Sequence, residues 1–324
     1  MPQMANPSAP AASAEPMPVR RRFCIIRNRH AGLVSARLVA RVIDELGKRD
    51  GTIELVETQS ASDLHRVLDA AGDADAIVAA GGDGTIRSLA LAMLDAGVDK
   101  PLGIIPAGTG NVLANEVGLK RIPSDLVEVL LRAPARPVAF KQANEALFIL
   151  MASAGFDAAA LTRLSHPFKQ RVGRAAYSLP TLSAFAAERA RPFNVRLDDR
   201  DFSATWAIVA NARTYGGSFR LAPDASIFED TLHAVLFHAT THAGRLRELL
   251  YLAAGRAGRC PSVEIVPCQR AVLHCAADLP VQADGDLIGH GPITIGPDDR
   301  SIRIIVPPAR DRADRAVGSD GLLR

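Results

Sequence analysis

The chain lacks a long apolar run: over its 324 residues no uninterrupted stretch approaches the ~20 that a bilayer crossing needs. That excludes a helical membrane-spanning protein. Cysteine is scarce, with four residues (Cys24, Cys260, Cys268, Cys275) and no C-x-x-C spacing, so buried thiols are expected rather than disulfides or zinc ligands. None of the eight histidines has zinc-like spacing. Aromatic residues make up 5%, and the one tryptophan, Trp206, shares the strand-like run DFSATWAIV with Phe202, which suits a core better than a base-stacking platform. Charge of either sign is not in excess; the net +3 sets up no global field of the kind a nucleic-acid binder carries. A hydrophobic fraction of 48% beside 23% charged residues fits a soluble globular chain, and its length suggests two domains.

What is present has two textures. From residue 21 to 140 short apolar runs alternate with helical spacing: RFCIIRN, TIELVET, DAIVAAGG and PLGIIPAG read as strands, LVSARLVARVIDEL, DLHRVLDAA and TIRSLALAML as helices. Such alternation predicts an α/β domain with a parallel sheet. From 141 to 295 the runs NVRL, ATWAIVAN, LHAVLF, SVEIVP, RAVLHC and LPVQA are separated by Gly, Pro, Asp and Asn, which predicts a β-rich, antiparallel, sandwich-like domain. Helical interruptions are expected at Arg174 to Ala190 and around Leu246 to Ala254. The last run, SIRIIVP, fits either domain, so 296–308 could complete the first. Residues 1–20, rich in Ala, Pro and Ser, and 309–324 read as tails, and a cytoplasmic location is expected.

The glycines carry the chemistry. Gly81-Gly82-Asp83-Gly84-Thr85 follows one predicted strand and Gly108-Thr109-Gly110-Asn111 the next, each opening a helix. Two such turns at the carboxyl ends of neighbouring parallel strands line one crevice, and helix N-termini there favour phosphate. The common nucleotide signatures are absent: there is no P-loop lysine, and Arg87 and Leu113 stand where a G-x-G-x-x-G motif has its third glycine. Asp83 among the glycines suits Mg²⁺ or a hydroxyl proton, or a helix cap. Asp284-Gly285-Asp286 places two further carboxylates on a tight turn.

GGDGT, PAGTGN and NRHAG together resemble the diacylglycerol kinase catalytic-domain family, which includes bacterial lipid kinases, sphingosine kinases and ceramide kinases. SAGFDAAALTRL, FKQRVGRAAYSLPTL, NARTYGGSFRLAPDASIFEDTL and ADGD resemble further family blocks in the same order. The resemblance implies an ATP site made from Asn28, Arg29, His30, Ala31 and Gly32, from Thr58, from Gly81, Gly82, Asp83, Gly84, Thr85, Ile86 and Arg87, and from Gly108, Thr109, Gly110 and Asn111. It implies Asp286 as the first candidate for the catalytic base, in place of the family's Glu, with Asp83 second and Asp284 assisting with metal. A loop like APDASIFEDTL would hold a structural Mg²⁺ through Asp230 and the carbonyls of Ile227 and Leu232. Thr231, however, stands where the family usually has Gly, and Val112 where many members have Asp.

The expected activity is transfer of the γ-phosphoryl of MgATP to a lipid hydroxyl, with ATP and Mg²⁺ as cofactors. Diacylglycerol, phosphatidylglycerol, a sphingoid base and ceramide are not distinguished. Expected partners are a lipid at the membrane surface, reached through the basic loop Arg163 to Arg174, and no nucleic acid; no protein partner is evident, and a homodimer stays open. Packing on the β domain is expected for Arg245 to Arg256, with membrane contact through Leu246, Leu249, Leu250 and Leu252 as the other reading. Two alternatives remain: an NAD-kinase-like or polyol kinase acting on a soluble substrate, and an inactive nucleotide or lipid sensor.

Overall fold

Strands covered on both faces must be apolar along their whole length, and the inner strands of the first half are. A computed structural model describes residues 19–28, 33–58, 63–162, 190–217 and 219–308. In it β1 (Arg22–Asn28) buries Phe23 through Ile26, and every residue of β3 (Ala76–Gly81) and β4 (Leu102–Pro106) is buried. With β2 (Thr52–Thr58) they form a parallel array in the order β2, β1, β3, β4. The crossovers are α1 (Leu33–Gly47), α2 (Leu64–Ala70) and α3 (Asp83–Asp95). Leu38, Val42 and Leu46 recur at four-residue spacing along α1 and are buried, each contributing roughly 1.5–3 kcal/mol by its removal from water. After β4 come the short α4 (Val112–Glu116) and α5 (Pro123–Arg132), which starts on proline and buries Leu126, Val127, Leu130 and Leu131.

The second half is antiparallel. It runs through β5 (Ala135–Ala143), β6 (Ala146–Phe148), β7 (Met151–Ala154), α6 (Phe156–Thr162), β8 (Phe193–Leu197), β9 (Arg200–Ala204), β10 (Trp206–Ala210), β11 (Thr214–Tyr215), β12 (Phe219–Arg220), β13 (Leu232–Phe237) and α7 (His242–Ala253). It ends with β14 (Val263–Cys268), β15 (Ala271–His274), β16 (Pro280–Ala283), β17 (Asp286–His290) and β18 (Ile293–Ile305). Strands β14, β13, β10, β7, β16 and β17 make a six-stranded sheet. It packs on the other sheet through a second core, where Ala152, Val209, Leu236 and Val281 meet Val195, Leu273 and Ile295. The fold is therefore an N-terminal α/β unit with a parallel sheet and a C-terminal antiparallel one.

The last strand serves both halves. Near its start β18 pairs with β15 (Ile295 opposite Ala271), and near its end Ile304 lies parallel to Leu102 of β4. One ten-stranded sheet results, ordered β2, β1, β3, β4, β18, β15, β8, β9, with β5 and β6 joined through β18. The run SIRIIVP is thus the end of a longer strand whose exposed positions hid its beginning from an apolar pattern. All four cysteines are free and buried, and burial pushes the Cys24 thiol up to about 11 and Cys268 to about 12. Trp206 is a core residue stacked on Phe237 at 4.0 Å. The basic loop from Arg163 and, up to residue 189, the helix expected over Arg174 to Ala190 lie outside the described residues.

Candidate active site

The two glycine turns pack against each other backbone to backbone. A methyl group on Gly108 would come within 2.3 Å of Gly82 Cα, and one on Gly81 would lie 2.5 Å from the Thr85 side chain. At Gly108 the neighbouring turn occupies the place of a side chain, and at Gly81 Thr85 of the same turn does. Asp83 fastens the pair: its Oδ2 accepts from the Val112 N–H at 3.0 Å and its Oδ1 from Leu113 N–H at 2.9 Å, so it caps α4, the helix of the other turn. Burial raises its pKa, and these backbone donors pull it back down. Asn111 holds the second turn in a left-handed conformation (φ 50°), accepting from Gly108 N–H at 2.9 Å and donating to Gly108 O at 2.8 Å.

The start of α3 remains open. No side chain caps it, and a methyl group at Gly84 would meet nothing within 4 Å. A thirteen-residue helix that presents uncapped N–H groups beside free space fits a polyphosphate. Ile86 is fully buried, so only its backbone faces this region, whereas Thr109 is exposed. Thr58 is buried at the carboxyl end of β2, opposite Asn28. Arg29, His30, Ala31 and Gly32 lie outside the described residues.

Asp284 and Gly285 form the two-residue turn between β16 and β17, with φ of 50° and 85°, the left-handed pair that a tight hairpin requires. Asp284 does not face outward as a metal-assisting acid would. Its side chain is 3% exposed and accepts from the N–H groups of Ile149 (2.8 Å), Leu150 (2.8 Å) and Met151 (3.0 Å). Burial pushes its pKa up to about 6 against those three donors and the nearby Arg87 guanidinium. Asp286, one hairpin position on, is 57% exposed.

Arg87, one turn along α3 from Asp83 and on the same face, joins the glycine turns to this hairpin. Its Nε and Nη2 donate to Leu147 O at 3.0 and 2.8 Å, and its Nη1 donates to Asp286 Oδ2 at 3.1 Å. Its side chain is only 15% exposed, so it acts as a bridge within the site rather than as a free phosphate-binding arm. Three stretches far apart in sequence thus meet around the beginning of one helix. Among the described residues no three His, Cys, Asp or Glu side chains converge as a metal-binding set. A divalent ion would draw most of its oxygens from a nucleotide, and Asp286 is the motif carboxylate open enough to add one.

Several contributors had no separate signal in the sequence. The Gly216-Gly217 turn leans on the second glycine turn, with Asn115 Nδ2 donating to Gly217 O at 2.7 Å. Glu116, buried at the end of α4, accepts from Arg213 N–H at 3.0 Å and from its Nε at 2.9 Å. Behind the hairpin, Asp157 accepts from Ser153 Oγ (2.7 Å), Trp206 Nε1 (2.9 Å) and Gln282 Nε2 (3.1 Å), and burial raises its pKa. Gln282 Oε1 in turn accepts from Gly285 N–H at 2.8 Å, which ties the hairpin to this buried acid. The SAGFDA, NARTYGG and ADGD blocks are therefore parts of one support. A separate cleft of about 890 Å³ between α5 and the loop at 226–229 contains none of the expected site residues.

Of the expected structural-metal loop, Asp230 is 83% exposed and pairs with Lys141, whose Nζ stands 3.4 Å from Asp230 Oδ1; Ile227 and Leu232 are buried. In α7, Arg245, Glu248 and Leu252 face inward, while Leu246 and Leu250 are 50% and 62% exposed. The four leucines considered for a membrane face are thus divided, with Leu249 partly packed on the core.

Comparison with known proteins matches two family profiles to the chain. The family profile of the diacylglycerol kinase catalytic domain matches residues 22–143, and that of the YegS C-terminal NAD kinase beta sandwich-like domain matches 151–307. A Pseudomonas putida protein named as a probable YegS-like lipid kinase is 32% identical over 220 residues, covering 65% of this chain and 73% of that protein. A diacylglycerol kinase of Mycobacterium tuberculosis is 28% identical over 242 residues, covering 72% and 77%. Two crystal structures from Bacillus anthracis share the fold. One has a TM-score of 0.73 at 18% identity, covering 93% of this chain and 99% of that one; the other, of a diacylglycerol kinase, has 0.64 at 16%, covering 89% and 98%.

Proposed function

The chain belongs to the diacylglycerol kinase catalytic-domain family of lipid kinases, and from that premise we propose that it transfers the γ-phosphoryl group of ATP to the hydroxyl of a lipid. The observation that carries this reading is the Arg87 bridge, which brings Asp286 to the helix whose open N-terminus fits phosphate. Bound MgATP supplies an electrophilic phosphoryl group and a cation that offsets its charge. The chain's own residues do the positioning. The N–H groups at Gly84 and Thr85 would donate to phosphate oxygens, and Asp83 and Asn111 keep the two turns at a fixed spacing. Asp286 accepts the lipid hydroxyl's proton on its carboxylate, oriented by an Arg87 that Leu147 O holds in place. Asp284 keeps the Ile149 to Met151 backbone and the hairpin in register.

The lipid comes from a membrane surface in this reading. No helix among the described residues is long and apolar enough to cross a membrane. What supports peripheral contact is the outer face of α7, with Leu246, Leu250 and exposed Arg247, while the helix's one acid, Glu248, is turned inward onto the N–H groups of His238 and Ala239. Incubation with labelled ATP, Mg²⁺ and dispersed diacylglycerol, phosphatidylglycerol, sphingosine and ceramide tests the proposal, with NAD and glycerol as soluble acceptors. A phosphorylated lipid is the expected product. Phosphorylated NAD with no lipid product overturns the acceptor class, and nucleotide binding with no transfer to any acceptor overturns catalysis.

A further inference from the structure

The loop that carries Asp230 already has a cation within reach. Lys141 lies in β5, and its side chain is 1% exposed. Its Nζ stands 3.4 Å from the Asp230 carbonyl oxygen and 3.4 Å from Oδ1. Both contacts are within hydrogen-bond range, and among the described residues these two oxygens are the acceptors that meet it. A buried ammonium has to find acceptors because water no longer solvates it. Asp230, mostly exposed, has no such need, so the pairing is made on the lysine's account.

A magnesium ion bonded to the same carboxylate oxygen at about 2.1 Å would lie no more than about 5.5 Å from that ammonium. There the two positive charges repel, with the ammonium shut away from water while the carboxylate it meets is exposed. We infer that the Lys141 ammonium is the resident cation of this loop, and that the loop takes no divalent metal. Lysine and metal have the same task here. Strand β5 belongs to the ten-stranded sheet, and the loop leads directly into β13 of the six-stranded one, so the Lys141 to Asp230 contact pins the two sheets together.

The test is thermal unfolding of the full chain without nucleotide or lipid, which separates this inference from the kinase reading. Wild-type midpoints in EDTA, in millimolar Mg²⁺ and in millimolar Ca²⁺ should coincide within about one degree. Asp230→Ala should lower the midpoint by a few degrees under all three conditions alike. In a Lys141→Met background the same change should lower it no further, since the partner is gone. If Lys141→Met does not fold, the wild type and the exposed-site variant Asp230→Ala decide alone. A wild-type midpoint that falls in EDTA and is restored by Mg²⁺, with that sensitivity lost in Asp230→Ala, overturns the inference. So does an Asp230→Ala midpoint identical to wild type, which would show that the contact pins nothing.

Discussion

The turn at Gly81 to Thr85 and the hairpin at Asp284 to Asp286 both set acids beside glycine, yet the fold treats the acids in opposite ways. In the first, the single carboxylate is consumed by the backbone: two N–H groups of a neighbouring helix take its oxygens. In the second, one carboxylate is consumed by three N–H groups and the other is left at the surface with an arginine. The glycine-flanked acids that stand out most in the sequence are therefore the ones that build the crevice. The acid left exposed is the one that merely follows the turn.

The largest effect expected from this contrast is on catalysis. Asp286→Asn should cut kcat by about 10²- to 10⁴-fold, the range for losing a positioned base, with an unfolding midpoint near wild type. Near-normal turnover in that variant would erase the distinction between the two turns. Next comes stability: Asp284→Ala leaves three buried N–H groups without their acceptor and should cost about 3 kcal/mol or more in urea unfolding. A cost under 1 kcal/mol would show that the clamp is dispensable.

The same residue predicts a pH dependence. Its folded pKa of about 6 lies above its ordinary 3.8, so between these values the folded state binds more protons than the unfolded. The stability it contributes is fully present below about pH 4 and is lost as pH rises through about 6. The drop should be of the order of 3 kcal/mol, and Asp284→Asn should flatten it; an unchanged slope in that variant assigns the titration elsewhere. A smaller loss of stability than that of Asp284→Ala is expected for Asp83→Ala, about 1 kcal/mol for a lost helix cap, accompanied by reduced phosphoryl transfer as the two turns separate. A variant that keeps full activity would show that the cap does not shape the crevice.

Much of this fold could be read from the sequence because its first half is local. Unbroken apolar runs and four-residue spacing marked β1, α1, β3 and α3 within two or three residues of their observed ends. The glycine turns were visible too, but the reason for them was not. The two turns read alike as a phosphate-lined crevice, whereas Gly82 and Gly108 are small to admit each other and, of the glycines in the two turns, Gly84 alone would meet nothing on gaining a methyl group. That distinction depends on the distance between two loops, which periodicity does not carry. The backbone clamp made by Asp284 was hidden for the same reason, since its partners lie some 130 residues earlier. Lys141 carried no signal in the sequence, because its partner Asp230 lies 89 residues later.

Because β18 slots between β4 and β15, the inner edge of the parallel array stays unpaired until residue 305 has left the ribosome. The N-terminal half is translated early and finished last. A nascent chain stalled before Ile293 should therefore show rapid solvent exchange at the β4 amides that face away from β3, and should offer an open strand edge to chaperones or to other copies of itself. Protection of those amides in such a stalled chain would mean that the parallel array closes without its final strand.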